Sequence, residues 1–220
     1  MNTVNKRPQQ KPIAILGGTF DPIHYGHLKP AQHMAQELDL GRVVLLPAHI
    51  PPHKSATSAC STARAEMVEL VCQQETLFEL DDRELTRDKP SYTLDTLRLY
   101  KKEHPDRQLL FFIGMDSLLT FTTWHQWQEI LTLCHLVVCP RPGYRATAMD
   151  QQTLALLAKH QVSDKKALLE KESGGILIVP PCDWNISSTE IRARLKTRQD
   201  CADIMPGYIL DYINRHQLYR

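Results

Sequence analysis

The sequence of 220 residues lacks several features that mark particular classes of protein. No apolar run approaches the roughly 20 residues needed to cross a bilayer, and residues 1–11 are polar, without the apolar centre of a secretory signal. The 26 basic residues nearly balance the 25 acidic ones, so the net charge is +1. This balance gives no electrostatic reason to expect a nucleic acid or a membrane as a partner. We therefore expect a cytoplasmic protein with a flexible polar tail at residues 1–11.

The six cysteines include no CxxC pair. Close ligand pairs are typical of cysteine-based zinc sites, and disulfide frameworks belong mainly to small secreted domains. We therefore expect reduced, mostly packed thiols and no dedicated metal site. A zinc site at His24, His27, His49 and His53 is an alternative, but the spacing of these histidines specifies no third ligand.

Short apolar runs alternate with segments of helical periodicity along the chain. Strands are predicted at residues 12–16, 42–47, 77–80, 109–113, 135–139 and 176–179, and helices at 26–38, 62–73, 92–103, 124–133, 187–196 and 206–216. Ser91 is the candidate cap of the third helix. This alternation predicts an α/β fold with a doubly wound parallel sheet. We expect one domain over residues 12–220, with the polar segment 143–174 as a helical insertion on its surface.

The string GGTFDPIHYGH, residues 17–27, lies between the first predicted strand and the first predicted helix. Gly17 and Gly18 allow a close approach of the backbone to a phosphate. A helix start offers the same anion unpaired N–H groups and a positive dipole end. His24 and His27 can face one ligand there and donate hydrogen bonds to it. The string is neither GxGxxG nor a Walker A loop, so it indicates a different kind of phosphate site.

Two further segments indicate ligand binding. In NISSTEIR, residues 185–192, Arg192 lies one helical turn beyond Ser188, on the face from which it can bind a phosphate bidentately. Taken alone, a helix cap and a solvated arginine explain this segment equally well. Gly114 and Asp116 follow the most apolar strand, where ligands bind in doubly wound sheets. An ordinary helix cap is the alternative for Asp116.

In this order, these segments resemble those of the nicotinate-nucleotide adenylyltransferases. HYGH, residues 24–27, matches the HxGH signature of a nucleotidyltransferase superfamily whose Rossmann-like fold is shared with class I aminoacyl-tRNA synthetases, and residues 186–192 match its ISSTxxR motif. The resemblance runs from about Ile13 to Arg220. It implies an enzyme that transfers the adenylyl group of ATP, carried with Mg²⁺, to nicotinate mononucleotide. The products would be nicotinate adenine dinucleotide and pyrophosphate.

The resemblance also implies a set of site residues. Those for ATP are Gly17, Gly18, Thr19, Phe20, His24, Gly26, His27, Gly114, Asp116, Ile186, Ser187, Ser188 and Arg192, with His24, His27 and Arg192 catalytic. Those for the mononucleotide are Lys54, Thr93, Trp124, His125 and Arg141, with Trp124 stacked on the pyridine ring. His125 departs from the tyrosine that is frequent in the family, so the preference for acid over amide stays open.

Three alternatives to this function remain at the level of sequence. An adenylyltransferase of the same superfamily could prefer nicotinamide mononucleotide, which only similarity to the branch opposes. One that uses another phosphate acceptor is disfavoured by Trp124 and by SYT at residues 91–93. A non-catalytic nucleotide-binding protein is disfavoured by the intact histidines, serines and arginine. The oligomeric state is not specified.

Overall fold

The computed structural model describes residues 10–49, 57–87, 90–140 and 149–220. The strands in this part of the chain are β1 (Ile13–Gly18), β2 (Val43–Pro47), β3 (Phe78–Leu80), β4 (Leu109–Gly114), β5 (His135–Cys139), β6 (Gln161–Val162) and β7 (Ile176–Ile178). The helices are α1 (Tyr25–Glu37), α2 (Ser61–Gln74), α3 (Thr93–Glu103), α4 (Met115–Leu119), α5 (Trp127–Leu133), α6 (Gln151–His160), α7 (Lys165–Leu169), α8 (Ser188–Lys196) and α9 (Gly207–Arg215).

The strands form one parallel sheet in the order β3-β2-β1-β4-β5-β7-β6. The chain first builds outward from β1 to β3, then returns to place β4 on the other side of β1. Leu16 of β1 pairs with Phe112 of β4 at this reversal. Ligands of doubly wound sheets bind beyond the carboxyl ends of the strands at such a reversal. The predicted doubly wound fold is therefore confirmed, and it places the ends of β1 and β4 at the expected site.

Apolar side chains cover both faces of the sheet. On one face, residues such as Ala14, Leu110 and Phe112 pack against α1, α2 and α9. On the other, residues such as Ile15 and Phe111 pack against α3, α5 and α6. Because successive side chains of a strand point to opposite faces, two covered faces require strands that are apolar at nearly every position.

Two local predictions at the ends of helices were wrong. Helix α5 begins at Trp127 rather than at Trp124, because Gln126 adopts a left-handed backbone conformation with φ 49°. Trp124 instead follows a short 3₁₀ turn. Tyr92, not Ser91, precedes the first turn of α3. The Ser91 hydroxyl accepts a hydrogen bond from the His49 amide at 3.1 Å, which joins the loop after β2 to the segment before α3.

The segment 143–174 is described from residue 149 onward and contributes to the sheet. Helices α6 and α7 lie within it, and the strand β6 between them was not anticipated. Strand β6 pairs in parallel with β7 at the edge of the sheet. Leu156 of α6 and Leu168 of α7 are buried in the two apolar layers. The described part of the segment is thus packed against the sheet.

Candidate active site

A cleft of about 260 Å³ lies over the carboxyl ends of β1 and β4. The sequence-predicted site residues that line it are Gly17, Gly18, Gly26, His27, Thr93, Gly114, Asp116 and Trp124. The glycines belong to the strands, because β1 ends at Gly18 and β4 ends at Gly114. Glycine backbone at the ends of both strands therefore lines the cleft, and predicted ATP and mononucleotide residues share one cavity.

The two histidines of the HxGH motif lie against each other at the start of α1. Their ring centroids are 3.8 Å apart, and the edge of Phe20 meets the His27 ring at a centroid distance of 5.1 Å. His24 is buried, whereas His27 is half-buried and lines the cleft. Phe20 itself is buried in a left-handed conformation with φ 48°. His27 is consequently the member of the pair that a ligand in the cleft can reach.

The start of α8 packs onto this histidine pair. The Ser188 hydroxyl lies 3.0 Å from His24 Nε2 and donates to the Pro22 carbonyl at 3.4 Å. Arg192 Nη1 donates to the Asp21 carbonyl at 2.7 Å. Ser188 and Arg192 therefore face the same loop, as their spacing predicted. Ser187 does not share these contacts with the loop. Its hydroxyl instead caps α8 by accepting a hydrogen bond from the Glu190 amide at 3.2 Å.

The contact between the two motifs depends on Gly26. A Cβ atom at this position would lie 2.7 Å from the Ile186 carbonyl oxygen and 2.8 Å from the His24 ring. Ile186 is buried, so its backbone has little freedom to withdraw. A glycine between the two histidines thus permits the ISSTxxR segment to approach the HxGH loop.

Asp116 lies in the first turn of α4, directly beyond β4. Its side chain is exposed at the cleft. A Cβ atom on Gly114 would lie 2.5 Å from Asp116 Oδ1. Because Gly114 has no side chain, the Asp116 carboxylate can lie against the end of β4.

Trp124 and Thr93 also line the cleft. The Trp124 ring meets Phe111 edge-on at 6.3 Å and Phe121 at 5.5 Å. These contacts hold a half-buried indole at the wall of the cleft. His125 does not line the cleft, since its exposed ring packs on Tyr92 at a centroid distance of 4.6 Å. Lys54 and Arg141 lie outside the described residues.

Glu84 lies in the cleft wall and was not predicted from the sequence. It is buried and accepts a hydrogen bond from Thr96 Oγ1 at 2.5 Å. Burial raises the pKa of this carboxyl group, although hydrogen bonds from Thr96 and Ser91 oppose the rise. No local pattern distinguishes Glu84 from the other charged residues of its segment.

Arg64 was also missed, although the sequence carries a signal for it. It is fully buried and donates to the Thr19 carbonyl at 2.6 Å and the Ala48 carbonyl at 2.7 Å. Burial lowers the pKa of its guanidinium group, while Asp21 opposes this shift. Arg64 precedes Met67, Val68 and Val71 at helical spacing, so it falls on the apolar face of α2. A cation in that register indicates a buried structural role.

Over the described ranges, no three His, Cys, Asp or Glu side chains are grouped so that they could hold a metal ion. This includes His24, His27 and His49 of the zinc alternative, whereas His53 lies outside those ranges. No helix among the described residues is long and apolar enough to span a membrane.

The fold and the sequence place this chain in the class of nucleotidyltransferases. A family model described as cytidylyltransferase-like matches residues 15–194. A probable nicotinate-nucleotide adenylyltransferase of Yersinia enterocolitica is 44% identical over 217 residues, which cover 98% of this chain and 99% of that protein. One of Klebsiella pneumoniae is 43% identical over 207 residues, covering 94% and 96%. The chain therefore belongs to the nicotinate-nucleotide adenylyltransferase family, and it is an adenylyltransferase.

Solved structures share the fold. The Plasmodium falciparum nicotinic acid mononucleotide adenylyltransferase complexed with NaAD superposes with a TM-score of 0.74. The sequence identity is 20%, and the alignment covers 96% of this chain and 98% of that chain. The same enzyme complexed with APC gives a TM-score of 0.72 at 20% identity, with the same coverage of both chains.

Proposed function

We propose that this enzyme transfers the adenylyl group of ATP to nicotinate mononucleotide, giving nicotinate adenine dinucleotide and pyrophosphate. The observation that carries the proposal is the contact of His24 with Ser188, which joins the HxGH and ISSTxxR segments beside the glycine-lined cleft. The near full-length similarity to nicotinate-nucleotide adenylyltransferases supports the choice of acceptor.

The chemistry is a direct in-line displacement at the α-phosphorus of ATP. A phosphate oxygen of the mononucleotide forms the new bond to this phosphorus, and the bond to the bridging oxygen of pyrophosphate breaks. We assign His27, which faces the cleft, to donate a hydrogen bond to the reacting phosphates. His24 packs against this ring and is itself in contact with Ser188, and Arg192 fixes the loop through the Asp21 carbonyl. The enzyme contributes positioning and charge stabilisation, without a covalent intermediate.

We assign Trp124 and Thr93, which line the cleft, to the binding of the acceptor. The indole is held by Phe111 and Phe121, so it can present a fixed face to the electron-poor pyridine ring. Such stacking contributes about 0.5–1.5 kcal/mol beyond burial. His125 lies away from the cleft lining, so selectivity for the acid would rest on other groups of this wall.

Magnesium would be held by the triphosphate. Mg²⁺ keeps several waters and is commonly bound through substrate phosphates and one or two carboxylates. The described donor set fits this mode, with the exposed Asp116 carboxylate at the cleft and no protein cage among those residues. When bound, the ion would neutralise charge on the leaving pyrophosphate. We place the reaction in the cytoplasm, with small-molecule substrates and no nucleic-acid partner, in keeping with the net charge of +1.

Pyrophosphate release tests the proposal. The protein is incubated with MgATP and either nicotinate or nicotinamide mononucleotide, and the His27→Ala variant serves as the background control. We expect release well above background with the acid, a much slower reaction with the amide, and a loss of about 10²–10³-fold in the variant. Equal rates, or a preference for the amide, would overturn the acceptor assignment.

A further inference from the structure

The carboxylate of Asp21 joins three distant parts of the chain in the interior. Oδ2 accepts the Ser58 amide at 2.8 Å, and Oδ1 accepts the Ala59 amide at 3.0 Å. Oδ1 also accepts the hydroxyl of Tyr219, the penultimate residue, at 2.8 Å. Asp21 is 6% exposed and Tyr219 is 8% exposed. Burial beside Asp21 raises the pKa of the Tyr219 hydroxyl, which therefore stays protonated as a donor.

Asp21 belongs to the loop that carries the HxGH motif. Its carbonyl accepts Arg192 Nη1, and the carbonyl of Thr19 accepts the buried Arg64. The loop is thus held in two ways: Arg192 and Arg64 bind its backbone carbonyls, and the Asp21 carboxylate binds Tyr219 and the amides of residues 58 and 59. A buried charge that loses a hydrogen-bond partner is costly, so the loop would shift to satisfy Asp21 if Tyr219 could not donate.

We propose that Tyr219 is a positioning residue for the loop at residues 19–24, called here the phosphate-binding loop, and that it acts through Asp21. By holding the Asp21 carboxylate, the carboxyl-terminal segment fixes the backbone between Phe20 and His24, and with it the direction of the His27 ring toward the cleft. The inference rests on the proposed function, because it assumes that the loop binds the phosphates of ATP. It adds Asp21 and Tyr219 to the residues that determine ATP affinity.

The chain provides a matched control for a purely structural role. Tyr212 is also 8% exposed and donates its hydroxyl to a carboxylate, that of Glu66. This bond links α9 to α2, and neither residue lines the cleft. Tyr212→Phe therefore removes a tyrosine–carboxylate hydrogen bond near the same end of the chain but outside the cleft. The bonds differ in that Glu66 is exposed, whereas Asp21 is buried.

The test compares Tyr219→Phe with Tyr212→Phe in the full chain. The dissociation constant of a non-hydrolysable ATP analogue is measured with Mg²⁺ by calorimetry, beside the melting temperature. We expect both variants to melt lower, Tyr212→Phe by less, because water can replace the lost donor at the exposed Glu66 but not at the buried Asp21. Only Tyr219→Phe should weaken analogue binding, by up to about tenfold, which is the limit reached if the whole energy of one hydrogen bond to a charged group is needed to restore the loop on binding. Asp21→Asn, which keeps the shape but not the charge, should weaken binding in the same way.

Equal analogue affinity in the two tyrosine variants would overturn the inference, even if Tyr219→Phe melted lower. The readout does not depend on turnover. A wild-type protein that binds the analogue but releases no pyrophosphate with nicotinate mononucleotide would refute the proposed reaction. The positioning role would still be decided by the two dissociation constants.

Discussion

His24 and Ser188 are 164 positions apart in the sequence, yet His24 Nε2 and Ser188 Oγ are 3.0 Å apart. One residue precedes the first turn of α1, and the other begins α8. The HxGH and ISSTxxR motifs therefore form one structural unit. A change in either side chain should alter the position of the other.

A double-mutant cycle tests this coupling. We expect His24→Ala to reduce kcat/KM by up to about 10²–10³-fold, because it removes the ring against which the charge-stabilising His27 packs. Ser188→Ala should cause a smaller loss. The double variant should lose less than the product of the two, because both residues act through one contact. Ser173 is the matched control, since its hydroxyl bonds the Thr132 carbonyl at 2.9 Å outside the cleft. His24→Ala with Ser173→Ala should be multiplicative. Multiplicative losses for His24 with Ser188 would contradict the shared unit.

Gly26→Ala tests the close approach of the two motifs. Alanine normally stabilises a helix relative to glycine, by about 0.5–1 kcal/mol. Here the added Cβ would meet the Ile186 carbonyl at 2.7 Å, so we expect a lower melting temperature and a large loss of kcat/KM. Gly207, at the start of α9, is the control, because a Cβ there has no atom within 4 Å. Gly207→Ala should leave both quantities unchanged or raise the melting temperature. Similar behaviour of the two variants would show that the segments can separate without cost.

The layers of the fold were predictable from the sequence, whereas the contacts that organise the site were not. Strand β5 was predicted at its observed limits, because a strand buried on both faces is apolar throughout. The bonds of Asp21 to Ser58 and Tyr219 join residues far apart in the chain, and no local pattern specifies such pairs. Local periodicity also extended helix α5 back to Trp124, because the left-handed turn at Gln126 has no signal in the apolar spacing.

Trp124→Ala separates a substrate contact from a core contact. We expect the KM for nicotinate mononucleotide to rise by about tenfold, since the stacking energy is lost together with some burial. The KM for ATP should change little. Trp127 is the control, because it packs on Phe121 at a centroid distance of 5.9 Å and does not line the cleft. Trp127→Ala should lower the melting temperature without this selective change in KM. A parallel rise in both KM values for Trp124→Ala would assign the residue to the core alone.

His135 makes the stability of the fold sensitive to acid. It is fully buried at the start of β5, and its Nδ1 atom accepts the Gly175 amide at 3.1 Å. Burial lowers the pKa of this imidazole from 6.5 to about 4. Below pH 6.5 the unfolded chain binds a proton that the folded chain does not, so stability falls as the pH decreases from 6.5 toward 4.

His135→Asn removes this titration while the side-chain oxygen can still accept the Gly175 amide. The variant should melt lower at neutral pH, because asparagine fills less of the core. Between pH 6.5 and 4.5, however, its melting temperature should fall by roughly 5 °C less than that of the wild type. A pKa difference of one unit corresponds to about 1.4 kcal/mol of unfolding free energy, and each kcal/mol shifts the melting temperature of a domain of this size by about 2–4 °C. His216, which is exposed, is the control. The melting temperature of His216→Asn should change with pH as that of the wild type does. If the melting temperature of His135→Asn also followed the wild type, acid would destabilise the protein through other groups.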